Sequence, residues 1–166
     1  MLLACFGSRA QEYGHAGGVQ SNFGLVIDSG FYSFYPLGGF VYNPRLDIEL
    51  KENMIFSACS YPFIGGFMRT NTMTGGSAAF GAELPLLAQI FIGDTWGFFA
   101  SAGWDFAFMA ATGTGAVGMM GPQVALGFQT PFFNDRHLRF RLAYDKDVLH
   151  RGGHLASFGM MYTFGD

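Results

Sequence analysis

The sequence predicts an all-β fold: a closed eight-stranded antiparallel up-and-down barrel that crosses a membrane. Three observations predict it. Apolar residues recur with period two almost everywhere after residue 20, which is the signature of strands. Half of the 166 residues are hydrophobic and only 13% are charged, against about 25% in an ordinary soluble domain. That apolar content is spread at short period, with no run near the roughly 18 residues of a membrane helix.

The elements follow in order. Strand 1, about residues 21–32, sets Phe23, Leu25 and Ile27 against Asn22, Gly24, Val26 and Asp28. Strand 2, about 38–50, sets Leu46, Ile48 and Leu50 against Arg45, Asp47 and Glu49. Strand 3, about 54–67, has the weakest pattern. Strand 4, about 76–92, carries Phe80, Leu84, Leu86 and Ile90 on one side and Glu83, Pro85 and Gln89 on the other. Strand 5, about 96–110, holds the clearest alternation: Trp96, Phe98, Trp104, Phe106 and Phe108 on one face, small residues and Asp105 on the other. Strand 6 is placed at about 117–129. Strand 7, about 137–146, sets Leu138, Phe140, Leu142 and Tyr144 against His137, Arg139, Arg141 and Asp145. Strand 8, about 154–164, sets Phe158, Met160, Tyr162 and Phe164 against Ser157, Gly159, Met161 and Thr163. Pro44 and Pro85 remove ladder donors, so bulges or strand ends are expected beside them. The connections alternate between compact turns, such as Lys51-Glu52-Asn53, and looser loops, namely "SFYPLG", "RTNTMTGG", "ATGTGA" and "DKDVLHRGG".

The two faces identify the solvent. The apolar set is too bulky to fill a small barrel, and the other set is too poor in charge to suit water. Inversion resolves both problems: apolar residues face hydrocarbon and small residues line the lumen. The sheet must close, because an open edge in lipid strands backbone polar groups. A barrel-interior charge lattice then comprises Asp28, Arg45, Asp47, Glu49, Glu83, Asp105, Arg139 and Arg141, with Asp145 beside it. Both signs are present, so the charges are expected to pair. Aromatics near strand ends, among them Phe31, Tyr35, Tyr61, Trp96, Phe132 and Phe133, are expected at the membrane–water boundaries.

Residues 1–10 read as the remnant of a secretory signal peptide, with "LLAC" as an alternative lipid-attachment site at Cys5. Residues 11–20 read as a periplasmic segment, and 21–166 as the barrel. Cleavage chemistry is judged by small residues at the processing site, here Ser8 and Ala10. The net charge of −3 offers no basic patch for nucleic acid. His150 and His154 lack an evident third metal ligand, Asp145 or Asp147 being the candidates for one. His154 and Ser157, three apart on a strand, point to opposite faces and cannot form an acyl-transfer pair. Neither catalysis, a metal nor a cofactor is expected.

The segments "YNPRLDIELKENMIFSACSYPFIGGF", "FGAELPLLAQIFIGD" and "LASFGMMYTF" resemble the small outer-membrane β-barrel proteins of Bacteroidetes-type bacteria, including the PorT-like barrels of the eight-stranded OmpA type. The resemblance implies the outer membrane of a Gram-negative bacterium, with both termini periplasmic. It also implies that Met160, Tyr162 and Phe164 form the signal read by the barrel assembly machinery. The expected partners are outer-membrane lipid, that machinery, and a larger envelope or secretion complex. The expected role is structural or accessory; a narrow channel or ligand-binding barrel is the alternative, and a lipid-modifying enzyme ranks third.

Overall fold

The computed structural model describes residues 11–28, 31–71, 75–94, 96–111, 115–132, 136–149 and 153–164, with side chains described from Gly39 apart from 67–79, 109, 111–115, 117, 133–136 and 163–164. Eight strands run through these residues. β1 is Gln11–Asp28 and β2 is Phe31–Lys51. β3 runs as two segments, Met54–Ser60 and Phe63–Asn71, and β4 as Gly75–Glu83 and Leu86–Gly93. β5 is Gly97–Ala111, β6 Gly115–Phe132, β7 Arg136–Lys146 and β8 His154–Phe164. Each pairs antiparallel with the next, and β8 pairs back onto β1. The ring is closed, so the sheet has no free edge to expose in a bilayer.

The stagger of the ring can be read from the pairing. Asp47 lies opposite Ser57, Ser57 opposite Gln89, Gln89 opposite Ser101, and Ser101 opposite Ala125. The path continues through Ala143, Ser157 and Gly24 and returns to β2 at Tyr35, twelve residues from Asp47. A stagger larger than the strand number tilts the strands and widens the barrel. That width is what lets full aromatic rings fit inside.

From β2 to β8 the side-chain period sorts residues by parity. Even-numbered positions such as Phe40, Ile64, Phe80, Leu86, Phe98, Leu126, Leu142 and Phe158 are exposed. Odd-numbered positions such as Asn43, Ser57, Tyr61, Gln89, Phe99, Asp105, Gln123 and Arg139 are buried. Trp104 and Phe106 are 39% and 40% exposed while Asp105 between them is 6% exposed. The outward face is therefore the oily one. On it Phe128, Phe140 and Phe158 stack across β6, β7 and β8, with centroids 4.7 and 6.3 Å apart. Such cross-strand aromatic pairs each add about 0.2–1 kcal/mol.

Three expectations are corrected. Residues 11–20 form the first half of β1, paired with β2 and β8, and are part of the barrel. Their Gly-rich sequence lacks alternation, but two flanking ladders impose the strand. For the same reason "SFYPLG" lies inside β2, paired with β1, and the described residues of "RTNTMTGG" and "ATGTGA" extend the strands. The lumen is lined by more than small residues: Val41, Cys59, Tyr61, Phe63, Leu87 and Met161 form a buried apolar cluster.

The Lys51-Glu52-Asn53 turn behaves as read. Asn53 closes the β2–β3 turn at φ 61°, a left-handed conformation that Asn tolerates better than most residues. Its carbonyl accepts from the Gly93 N–H at 2.9 Å, tying this turn to the β4–β5 turn.

Candidate functional site

The lumen is the candidate site, because there the polar residues of the membrane-crossing strands converge. At its heart Arg139 on β7 reaches across to Tyr61 on β3, four strands away around the ring. Arg139 Nη1 donates to Tyr61 Oη at 2.9 Å, and Tyr61 Oη donates to Gln89 Oε1 at 2.8 Å. Arg139 Nε donates to Gln129 Oε1 at 2.5 Å, and its guanidinium lies 5.8 Å from the Phe99 ring centroid. Phe99 in turn sits over Gly127, where any Cβ would strike its ring, and Phe91 sits over Gly97 in the same way. These glycines make room for two phenylalanine rings near the short-turn end.

A second layer is built on Arg141. It donates to Gln123 Oε1, and Gln123 Nε2 donates to Asp145 Oδ1 at 2.5 Å. The Arg141 guanidinium lies 5.8 Å from the Tyr61 ring centroid. Glu83, Asp105 and Asp145 lie within electrostatic reach of one another and of Arg141. Asp105 Oδ1 and Arg141 Nε are buried without a hydrogen-bond partner. A third layer pairs Arg45 Nε with Asp47 Oδ2 at 2.7 Å, and Ser57 Oγ donates to Asp47 Oδ1 at 2.5 Å.

The predicted lattice residues are thus distributed as follows. Arg45 and Asp47 form one group, and Glu83, Asp105 and Arg141, with Asp145, form another. Arg139 stands apart among neutral partners. Glu49 is exposed at the turn end of β2 and leaves the lattice, since the ladder shifts register between Glu49 and Lys51. Asp28 occupies the last position of β1, opposite Phe31. The expectation that charges pair with charges needs correction. Among the described residues the ion pair within 4 Å is Arg45–Asp47, while Arg139 and Arg141 are held by glutamines and a tyrosine. Neutral donors and acceptors satisfy a guanidinium without adding a second ion to desolvate.

Of the boundary aromatics, Trp96 and Phe132 are exposed, and Phe132 packs edge-on against Tyr162 at 5.8 Å. Tyr61 is corrected: at 4% exposure it belongs to the lumen, placed there by its odd number and by its partners Gln89 and Arg139. Phe31 lies opposite Asp28 and Tyr35 opposite Gly24; Phe133 and Cys5 lie outside the described residues. In the terminal strand Met160 is exposed and Phe164 lies opposite Gly17 on β1. His154 stacks on Tyr144, with Tyr144 Oη 2.5 Å from His154 Nδ1; His150 lies outside the described residues.

Sequence reasoning missed Gln123 and Gln129 as ligands of the two arginines. Their parity was the available signal, since a mid-strand glutamine sharing its face with Asp105 across β5 and β6 has no business in lipid.

Chemically, the lattice can fill and brace the lumen. It crosses the lumen with hydrogen bonds and leaves a local excess of carboxylate around Arg141.

No family model matches the chain, and no curated protein matches it in sequence. Solved structures do match in fold. Ail, the attachment invasion locus protein of Yersinia pestis, in complex with the heparin analogue sucrose octasulfate, superposes with TM-score 0.56 at 11% identity, over 92% of this chain and 99% of Ail. Neisserial surface protein A (NspA) superposes with TM-score 0.56 at 10% identity, over 95% of this chain and 99% of NspA. The fold is that of an outer-membrane β-barrel. At these identities the likeness is one of architecture, and it spans the whole length of both neighbours.

Proposed function

We propose that this chain is an integral β-barrel of a Gram-negative outer membrane with a structural or accessory role in an envelope complex, and that it catalyses nothing. One observation carries the reading: the outward face is an exposed apolar belt while Arg139, Tyr61 and Gln89 bridge the lumen from wall to wall. A wall built for hydrocarbon and an interior built of cross-braces make an anchor. The likeness to Ail and NspA supports the membrane, and the resemblance of "LASFGMMYTF" to outer-membrane endings supports delivery by the barrel assembly machinery through Met160, Tyr162 and Phe164. The resemblance to PorT-like barrels supports a larger envelope or secretion complex as partner, with the termini on the periplasmic side.

The test is purification from native membranes in mild detergent, followed by identification of co-purifying proteins and planar-bilayer recording. A stoichiometric larger partner and no conductance are expected. Steady single-channel conductance from the unmodified barrel, with no partner, would overturn the reading and favour a narrow channel. The observation on the channel's side is the carboxylate excess of Glu83, Asp105 and Asp145 around Arg141, since acidic constrictions select cations.

A further inference from the structure

Three prolines interrupt the wall at one level on three adjacent strands. By register Pro44 on β2 faces Ser60, Pro62 on β3 faces Tyr42, and Pro85 on β4 faces Tyr61. Each lacks the N–H that its rung requires. β3 breaks at Tyr61-Pro62 and β4 at Leu84-Pro85, although the register runs on unchanged through both breaks. The wall is patched by side chains. Asn43 Nδ2 donates to the Ser60 carbonyl at 2.8 Å, where the Pro44 N–H would have bonded, and Ser60 Oγ donates to the Pro85 carbonyl at 2.5 Å. Two main-chain bonds bridge at the breaks themselves: Tyr42 N to Pro62 O at 3.0 Å and Leu84 N to Phe106 O at 2.8 Å.

A crevice of about 430 Å³ lies at this seam. Its lining joins the lipid-facing residues Leu46, Ala58 and Leu86 to Cys59 and Leu87, which alternate with them, and includes Arg45 and Ser60 at its edge. Behind it stands the buried apolar cluster of Val41, Tyr61, Phe63 and Met161. A lipid-exposed wall normally bonds every backbone group, so a row of missing donors beside a mostly apolar cleft is a local departure from that rule.

We propose that the proline seam between β2, β3 and β4 is a lateral crevice that seats one acyl chain of a bilayer lipid. The occupant follows from continuity. Leu46, Leu84, Leu86, Trp104 and Phe106 around the mouth belong to the exposed apolar belt, so the neighbour at that mouth is hydrocarbon. The inference rests on the barrel being embedded in a bilayer.

The experiment reads the parity of the wall. The full chain is refolded into vesicles of phosphatidylcholine in which a small fraction carries a photoactivatable diazirine on one acyl chain. After illumination, adducts are mapped by peptide mass spectrometry. Adducts on the odd-numbered Cys59 and Leu87, as well as on Ala58 and Leu86, are expected. Ala58→Phe, which fills the mouth, should lose the adducts at Cys59 and Leu87 and keep those at Leu142 and Phe106. Adducts at even positions alone would overturn the crevice, as would odd adducts that survive Ala58→Phe. Should Ala58→Phe fail to insert, the parity of the unmodified chain decides alone. Absence of adducts even at Leu142 and Phe106 would instead mean that the barrel is not in lipid, and would strike the function proposed above.

Discussion

Leu142→Arg separates a lipid solvent from an aqueous one by energy alone. Leu142 is 59% exposed, and it sits near the middle of β7 between Leu126 and Phe158 on the neighbouring strands. A cation on the lipid face of a barrel costs about 2–4 kcal/mol at the bilayer midplane and about 0–1 kcal/mol near the interfaces. The same change on a water-facing surface stays within about 0.5 kcal/mol. At 1.4 kcal/mol per decade, the expected loss is roughly a 30- to 700-fold drop in the folded-to-unfolded ratio. The assay is reversible guanidinium unfolding in phosphatidylcholine vesicles, comparing Leu142→Arg with Trp96→Arg. Trp96 is more exposed still, at 67%, but precedes β5 at the short-turn rim, so its cost should fall below about 1 kcal/mol. Equal, negligible losses at both positions would refute the assignment of the even-numbered face to hydrocarbon.

Other perturbations test the interior. Arg139→Ala removes the bonds to Gln129 and Tyr61 and should destabilise the barrel by about 2–4 kcal/mol in the same unfolding assay; in planar bilayers it should raise ion leakage, because the cross-brace is gone. Gly127→Ala drives a methyl into the Phe140 carbonyl and the Phe99 ring, costing about 1–3 kcal/mol, whereas Gly118→Ala meets nothing within 4 Å and should be neutral or stabilising by up to about 1 kcal/mol. Asn53→Val should cost about 1–2 kcal/mol at its positive φ, with Asn53→Gly close to neutral, both read as shifts in the unfolding midpoint.

The solvent assignment was legible because Trp104 and Phe106 differ so sharply from Gly103 and Asp105. Where that contrast fades, the reading fades with it. Tyr61 was grouped by aromaticity with the boundary residues, although its parity with Cys59 and Phe63 already sent it inward. Residues 11–20 have Gly, Gln and His where an alternating strand would have Leu and Phe, and their strand exists because β2 and β8 supply partners on both sides. Pro44 and Pro85 predict bulges or strand ends, yet β2 runs unbroken past Pro44. Asn43 repairs that rung, a contact between segments that no local pattern displays. The arginine ligands were hidden for a related reason: Gln129 and Tyr61 lie 10 and 78 residues from Arg139, and only ring closure brings them together.

Phe91 and Phe99, each lodged on a glycine, have a consequence for the bore. With those rings inside the wall and the Arg139 bridge reaching Tyr61 on the far side, the bore is divided by side chains and is no open tube at that level.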